Sequence, residues 1–375
     1  MNKKWISTAV VLTLTTALTF SCEQGSIDAS EKSQDAESEA IAELSQEDLE
    51  LLKQAKKFFK PLPEVAEPTG YAMNDDMVSL GKKLYFDTRL SKSNTISCNS
   101  CHNLASFGVD NNPTSIGHKW VAGPRNSPTV LNAALHTAQF WDGRAEDVEE
   151  QAEGPILNPI EMGSPHEEFV IDRLRTIETY EDLFAAAFPD EPQPLTYKNM
   201  ARAIGSFERT LMTPDRFDDF LRGDGNALTA AEKKGLKSFM DVGCTTCHSG
   251  PVLGGQIFQK FGLIKGPYWE YTGSENIDEG KYEVTGVESD KYMFKVPGLR
   301  NIAKTAPYFH DGSVWDLEKT IEIMGVTQLG KELTEEQINE IVDFLEALTG
   351  ELSKEARTLP ILPRMGKETT KPDFS

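Results

Sequence analysis

The sequence predicts a mostly α-helical protein built as two similar domains with long loops. Three observations carry that expectation: a five-residue cysteine motif that occurs twice, a similar amphipathic segment ahead of each copy, and little alternation at the strand period. The copies are Cys98-Asn99-Ser100-Cys101-His102 and Cys244-Thr245-Thr246-Cys247-His248. In such a segment both thiols can add to the vinyl groups of one haem, and the next residue offers an imidazole to its iron. A zinc ribbon wants its two Cys-x-x-Cys knuckles about 15–20 residues apart, whereas well over a hundred residues separate Cys101 from Cys244. A thiol-disulfide motif does not require the histidine, which here follows both times. The reading is two covalent c-type haems, held in two cytochrome-c-like haem domains with long loops.

The elements follow in chain order. A short basic start, an apolar stretch through Phe20 and the small Ser21 predict a secretory signal over 1–21; the run is too short and too rich in Thr for a membrane span. The fifth cysteine, Cys22, stands where a lipoprotein signal would be cut, so a lipid anchor in the periplasm is expected. The box Thr19-Phe20-Ser21-Cys22 is loose, and ordinary cleavage nearby stays open. Residues 22–68 are acidic and poor in aromatics, which predicts a solvated, disordered tether. One helix over 46–59, capped by Ser45, is expected within it.

A first haem domain is expected over 69–213. Its helix at 79–87 leads into the first pentad, and further helices are expected near 169–188 and 197–211. Pro214 and Asp215 mark the boundary. A second haem domain is expected over 214–355. Its leading helix at 232–240 starts with a Thr229/Glu232 capping box, and its last helix at 334–348 with a Thr334/Gln337 box before Gly350. Residues 356–375 are expected to form a tail. A formal net charge of −21 argues against nucleic acid or an anionic membrane surface as partner, and is compatible with a basic redox partner.

A haem with one protein ligand is open to substrate; with two it usually only carries electrons. His102 and His248 are the proximal ligands, which leaves His118, His136, His166 and His310. His118 lies on a Gly/Asn/Pro-rich loop that could swing it on or off an iron, although a lone loop histidine is more often no ligand. Met324 follows a helical run and meets Gly325 where backbone can approach a haem. The commoner fate of a single methionine is core packing; as a ligand, its thioether would raise the potential of the second haem.

Several segments closely resemble the bacterial di-haem cytochrome c peroxidase family from about residue 80 to 350. They are Phe107-Gly108, Arg125-Asn126-Ser127-Pro128-Thr129-Val130-Leu131-Asn132-Ala133, Phe140-Trp141-Asp142-Gly143-Arg144, Gln151-Ala152-Glu153-Gly154-Pro155-Ile156 and Glu161-Met162-Gly163. The later half adds Val296-Pro297-Gly298-Leu299-Arg300-Asn301 and Thr305-Ala306-Pro307-Tyr308-Phe309-His310-Asp311-Gly312. The resemblance implies a peroxidatic first haem with His102 as proximal and His118 as removable ligand, and an electron-transferring second haem on His248 and Met324. It also implies a calcium ion between the domains on the Asn126 side chain and the Thr305 and Pro307 carbonyls, the oxygen donors a hard cation takes. Gln151 and Glu161 fall to the peroxide pocket and Trp141 to the path between haems.

Each has a plainer reading, as a helix residue, a solvated loop acid and a core wedge. A carboxylate beside an open iron is what moves the peroxide proton, which favours function for Glu161. The implied reaction is reduction of hydrogen peroxide to water with electrons from a small c-type cytochrome or cupredoxin; a homodimer is one expectation for its assembly. Relatives that oxidise side chains of a protein substrate use a tyrosine in place of the methionine and lack the distal histidine, whereas Met324 and His118 both stand here. A non-catalytic two-haem electron carrier is the other alternative. His136, His166 and His310 are unassigned.

Overall fold

A computed structural model describes residues 44–375, and most of their regular structure is helix. The expected signal and Cys22 lie outside the described residues. The first element, α1 (Gln46–Ala55), starts where Ser45 Oγ accepts from the Asp48 amide at 3.1 Å, a cap that contributes about 1 kcal/mol. Its apolar stripe does not face water. Leu52 is 2% and Phe59 1% exposed, and Phe59 meets Phe217 edge-on at 5.3 Å in the core of the second domain. The expected tether therefore ends well before residue 68. The helix expected within that stretch forms, and what the acidic composition did not show is that its apolar face is buried, which contributes several kcal/mol.

The first domain packs α2 (Asp75–Phe86), α3 (Val148–Leu157), α4 (Glu167–Arg175), α5 (Tyr180–Ala187) and α6 (Tyr197–Glu208) around one core. Helices α2 and α6 cross at Gly81, where any Cβ would overlap the Ala203 carbonyl. The second domain repeats the device. Of its helices α7 (Arg216–Arg222), α8 (Ala230–Val242), α9 (Leu317–Leu329) and α10 (Glu335–Ala347), α8 and α10 cross at Gly235 against the Glu340 carbonyl. Both expected capping boxes, Thr229/Glu232 and Thr334/Gln337, are formed. A two-stranded antiparallel sheet pairs β1 (Phe258–Lys260) with β2 (Met293–Lys295), Gln259 opposite Phe294.

The loops repeat too, at a constant sequence offset. Asn132 and Asn301 are left-handed (φ +60° and +63°), as are Phe140 and Phe309, and Gly143 and Gly312. The bridge Gln139–Ala145 recurs as Tyr308–Val314. Both asparagines donate from Nδ2 to the same hydroxyl, Thr213 Oγ1, at 2.8 Å, between α6 and α7. The domains hold each other by matched backbone bonds: the Asn126 amide donates to the His310 carbonyl at 2.7 Å, and the Lys295 amide to the Trp141 carbonyl at 2.8 Å.

After α10 the chain crosses back. Leu352 and Ala356 are buried in the core of the first domain, Arg89 Nη1 donates to the Pro363 carbonyl at 2.9 Å, and Met365 bridges Ile177. The expected boundary at 355 and the free tail over 356–375 give way to a strap on the first domain. Each described end of the chain thus completes the domain distant from it in sequence.

Candidate haem sites and the domain junction

The first pentad opens a short helix after the loop that follows α2, the second follows α8 directly after Gly243, and none of their four cysteines is in a disulfide. His102 Nδ1 lies 2.9 Å from the Pro128 carbonyl and His248 Nδ1 3.0 Å from the Leu253 carbonyl. With Nδ1 the donor in each, Nε2 is left free to bind iron, the usual arrangement for a ligating imidazole. Burial pulls both imidazoles below their ordinary pKa, toward the neutral form a metal needs. Tyr85, at the aromatic end of α2, donates to the His102 carbonyl at 2.6 Å, and Phe239 of α8 lies 6.4 Å from the His248 ring. Pro128 and Pro297 occupy equivalent places in the two repeated loops, and both carbonyls act on the proximal imidazoles. The carbonyl partners were missed at the sequence level, because nothing in a side chain marks a carbonyl acceptor.

The second site is a cavity of about 230 Å³, open at its mouth, that brings Cys244, Cys247, His248 and Met324 together with Phe239 and Ile321. A thioether and an imidazole on one largely apolar cavity fit a haem. Met324 lies within α9 rather than after a helical run, since the helix continues past Gly325 to Leu329. The opposite wall is the domain junction, with Trp141, His310, Asn126, Thr305 and Pro307. Trp141 Nε1 donates to the Asn126 carbonyl at 2.9 Å, and its ring stands edge-on to His310 at 6.3 Å. Asn126 Nδ2 donates to the carbonyls of Asn112 and Pro113, so its Oδ1 is the atom available to a cation. The three residues expected at calcium thus share one wall.

At the first site, His118 is 4% exposed and neither ring nitrogen has a partner among the described residues. Two orphaned nitrogens on a buried imidazole cost several kcal/mol unless something binds them, and an iron fits. The loop is pinned to the turn that bears Glu161: the His118 amide donates to the Glu161 carbonyl at 2.7 Å, and a Cβ on Gly163 would stand 2.8 Å from the His118 ring. Beyond His118, Lys119 and Trp120 are both left-handed (φ +57° and +62°), and Trp120 is 89% exposed. Two such residues in succession store on the order of 1–3 kcal/mol each. The loop is held, not relaxed.

Glu161 Oε1 accepts from Asn158 Nδ2 at 2.6 Å. Burial raises its pKa, while the charge of Arg144 and the Asn158 bond oppose the rise. Its charge also reaches Cys101, which places the carboxylate near the first pentad. Gln151 is half-buried on α3 and has no side-chain hydrogen bond within the described residues, to Glu161 or any other. His166 caps α4, its Nδ1 accepting from the Phe169 amide at 3.2 Å. His136 faces Lys295 across the junction at 3.0 Å.

Residues 75–226 match the family described as di-haem cytochrome c peroxidase. Over 322 residues the chain is 49% identical to the cytochrome c551 peroxidase of Pseudomonas aeruginosa, covering 85% of this chain and 91% of that one. The chain belongs to the di-haem cytochrome c peroxidase family. A cytochrome c551 peroxidase of Nitrosomonas europaea is 48% identical over 298 residues, covering 79% and 86% of the two chains. Among solved structures, a MauG-like protein associated with microbial copper homeostasis matches with a TM-score of 0.71 at 28% identity, covering 80% of this chain and 97% of that one. A di-haem peroxidase of this family carries two c-type haems, one for each pentad, on a mostly α, two-domain fold.

Proposed function

We propose that the chain reduces hydrogen peroxide to two waters, taking two protons and two electrons from solvent and a small periplasmic c-type cytochrome or cupredoxin. The carrying observation is the buried, unpartnered His118, held on a strained loop against the turn that bears the one candidate acid–base group. When bound, the haems supply an iron position for peroxide at the first site and electron storage at the second. His102 and His248 would hold the irons through Nε2, each imidazole oriented by a carbonyl at Nδ1. On this reading His118 is the removable ligand of the first site, and it would have to leave for peroxide to reach the iron. Its departure frees the Glu161 turn from one hydrogen bond and uncovers the carboxylate. Glu161 then takes the proton from the near peroxide oxygen and returns it to the leaving one, and Gln151 is the candidate amide to hold the peroxide. Met324 holds the second haem at higher potential than a second imidazole would.

Trp141, wedged between the cavity and the junction, is the candidate path for electrons. A calcium ion on Asn126 Oδ1 and the Thr305 and Pro307 carbonyls would tie the repeated loops and couple the two sites. Lipid attachment at Cys22 and a homodimer complete the reading as its less constrained parts. The test is stopped-flow oxidation of a reduced small c-type cytochrome by peroxide, using pre-reduced, calcium-loaded protein. Rapid turnover that vanishes without peroxide is expected. No turnover with any small cytochrome or cupredoxin, in protein carrying both haems, would overturn the proposal.

A further inference from the structure

Lys295 is 6% exposed and lines the second cavity from β2, yet it has no carboxylate partner among the described residues. The contrast with Arg300 on the same cavity is direct, since Arg300 pairs with Asp215 at 2.5 Å and Asp218 at 2.7 Å. Among the described residues its one side-chain hydrogen-bond partner is His136, Nζ to Nδ1 at 3.0 Å. Burial pulls the ammonium down to about 8 and drives His136 well below its usual range, so the imidazole is a neutral acceptor. A buried ammonium on a neutral partner leaves its charge uncompensated, a costly state that an anion in the cavity would relieve.

The repeated loops say what this position is. The Asn126 amide donates to the His310 carbonyl, and the Lys295 amide to the Trp141 carbonyl. By the same correspondence that pairs Asn132 with Asn301 and Phe140 with Phe309, Asn126 pairs with Lys295, and Thr305 with His136. The side chain expected to offer an oxygen to calcium in one half is thus an ammonium in the other. We propose that Lys295 is a tethered cation at the internal counterpart of the calcium position, and that its ammonium, steadied by His136, seats a haem carboxylate at the second site. This rests on the two-haem reading and adds to it a residue that sets the order of reduction. A fixed positive charge beside a haem favours the ferrous state, which carries one positive charge fewer, and so works in the same direction as Met324.

The experiment uses the full-length holoprotein with Lys295→Met and Lys295→Arg, counting haems by mass and following each midpoint by optical redox titration. Lys295→Met is expected to keep both haems while the reduction equilibrium of the second shifts on the order of tenfold toward ferric, the first staying in place. Lys295→Arg should restore most of that shift. Loss of the second haem in the Met variant alone would also support the seat. An unmoved midpoint in the Met variant, an Arg variant shifted as far as the Met one, or loss of the second haem in both would overturn it. Wild-type protein with fewer than two haems would instead overturn the two-haem reading.

Discussion

Glu161 is a carboxyl group whose surroundings set the pH at which it can act as a base. Burial raises its pKa above the ordinary glutamate range, against the pull of Arg144 and Asn158. The base form is the carboxylate, which is lost as pH falls through that raised value. The acidic limb of peroxide turnover is therefore expected at higher pH than an exposed glutamate would give. Glu161→Gln keeps the shape and the Asn158 contact but removes the base. Its rate with peroxide, measured by stopped flow on pre-reduced protein, should fall by on the order of 10²–10⁴ and lose the acidic limb. A rate within a few-fold of the wild type would leave Glu161 an ordinary loop acid. At this scale the sequence was most legible where chemistry is written in side chains: the pentads, His118 and Glu161. It was silent on Pro128, which acts through a carbonyl, and on Lys295, whose meaning lies in having no carboxylate nearby.

Helices were legible wherever caps and stripes coincide. Thr229 with Glu232 and Thr334 with Gln337 gave starts within a residue or two of those of α8 and α10. The helix expected from Ser45 onward is α1, ending at Ala55 rather than 59, and the run expected ahead of Met324 continues through Gly325 to Leu329 in α9. Gly325 does not end its helix because the turn can continue through any residue whose neighbours pack. Gly235 shows the stricter role. A methyl group there would overlap the Glu340 carbonyl and stand 2.9 Å from Phe344 Cβ, with both helices already packed. Gly235→Ala should destabilise the second domain by about 1–3 kcal/mol, the usual cost of overpacking. Urea unfolding followed by circular dichroism and haem absorption would report it as a lower midpoint. An unchanged midpoint would mean that α8 and α10 can separate at no cost.

At the scale of the whole molecule, two copies of one plan face each other through equivalent loops, and the two described ends of the chain each complete the opposite domain. None of this long-range exchange was legible from local pattern, because neither offset loops without periodicity nor a crossing strap leaves a spacing signal. The arrangement places Trp141 of one half against His310 of the other, and binds the His118 loop to the Glu161 turn within the first domain. The proposed function turns this arrangement into a division of labour, in which reduction of the second haem would open the first to peroxide. The most direct measurement is the electron paramagnetic resonance and optical spectrum of calcium-loaded protein reduced by one electron, compared with fully oxidised protein. The expected result is a second haem that is ferrous and six-coordinate, with the first haem converting from low-spin to a high-spin ferric form that binds added ligand. His118→Gly should show that high-spin form already when fully oxidised. Two haems that stay low-spin and closed to ligand after half-reduction would contradict this and leave the protein an electron carrier.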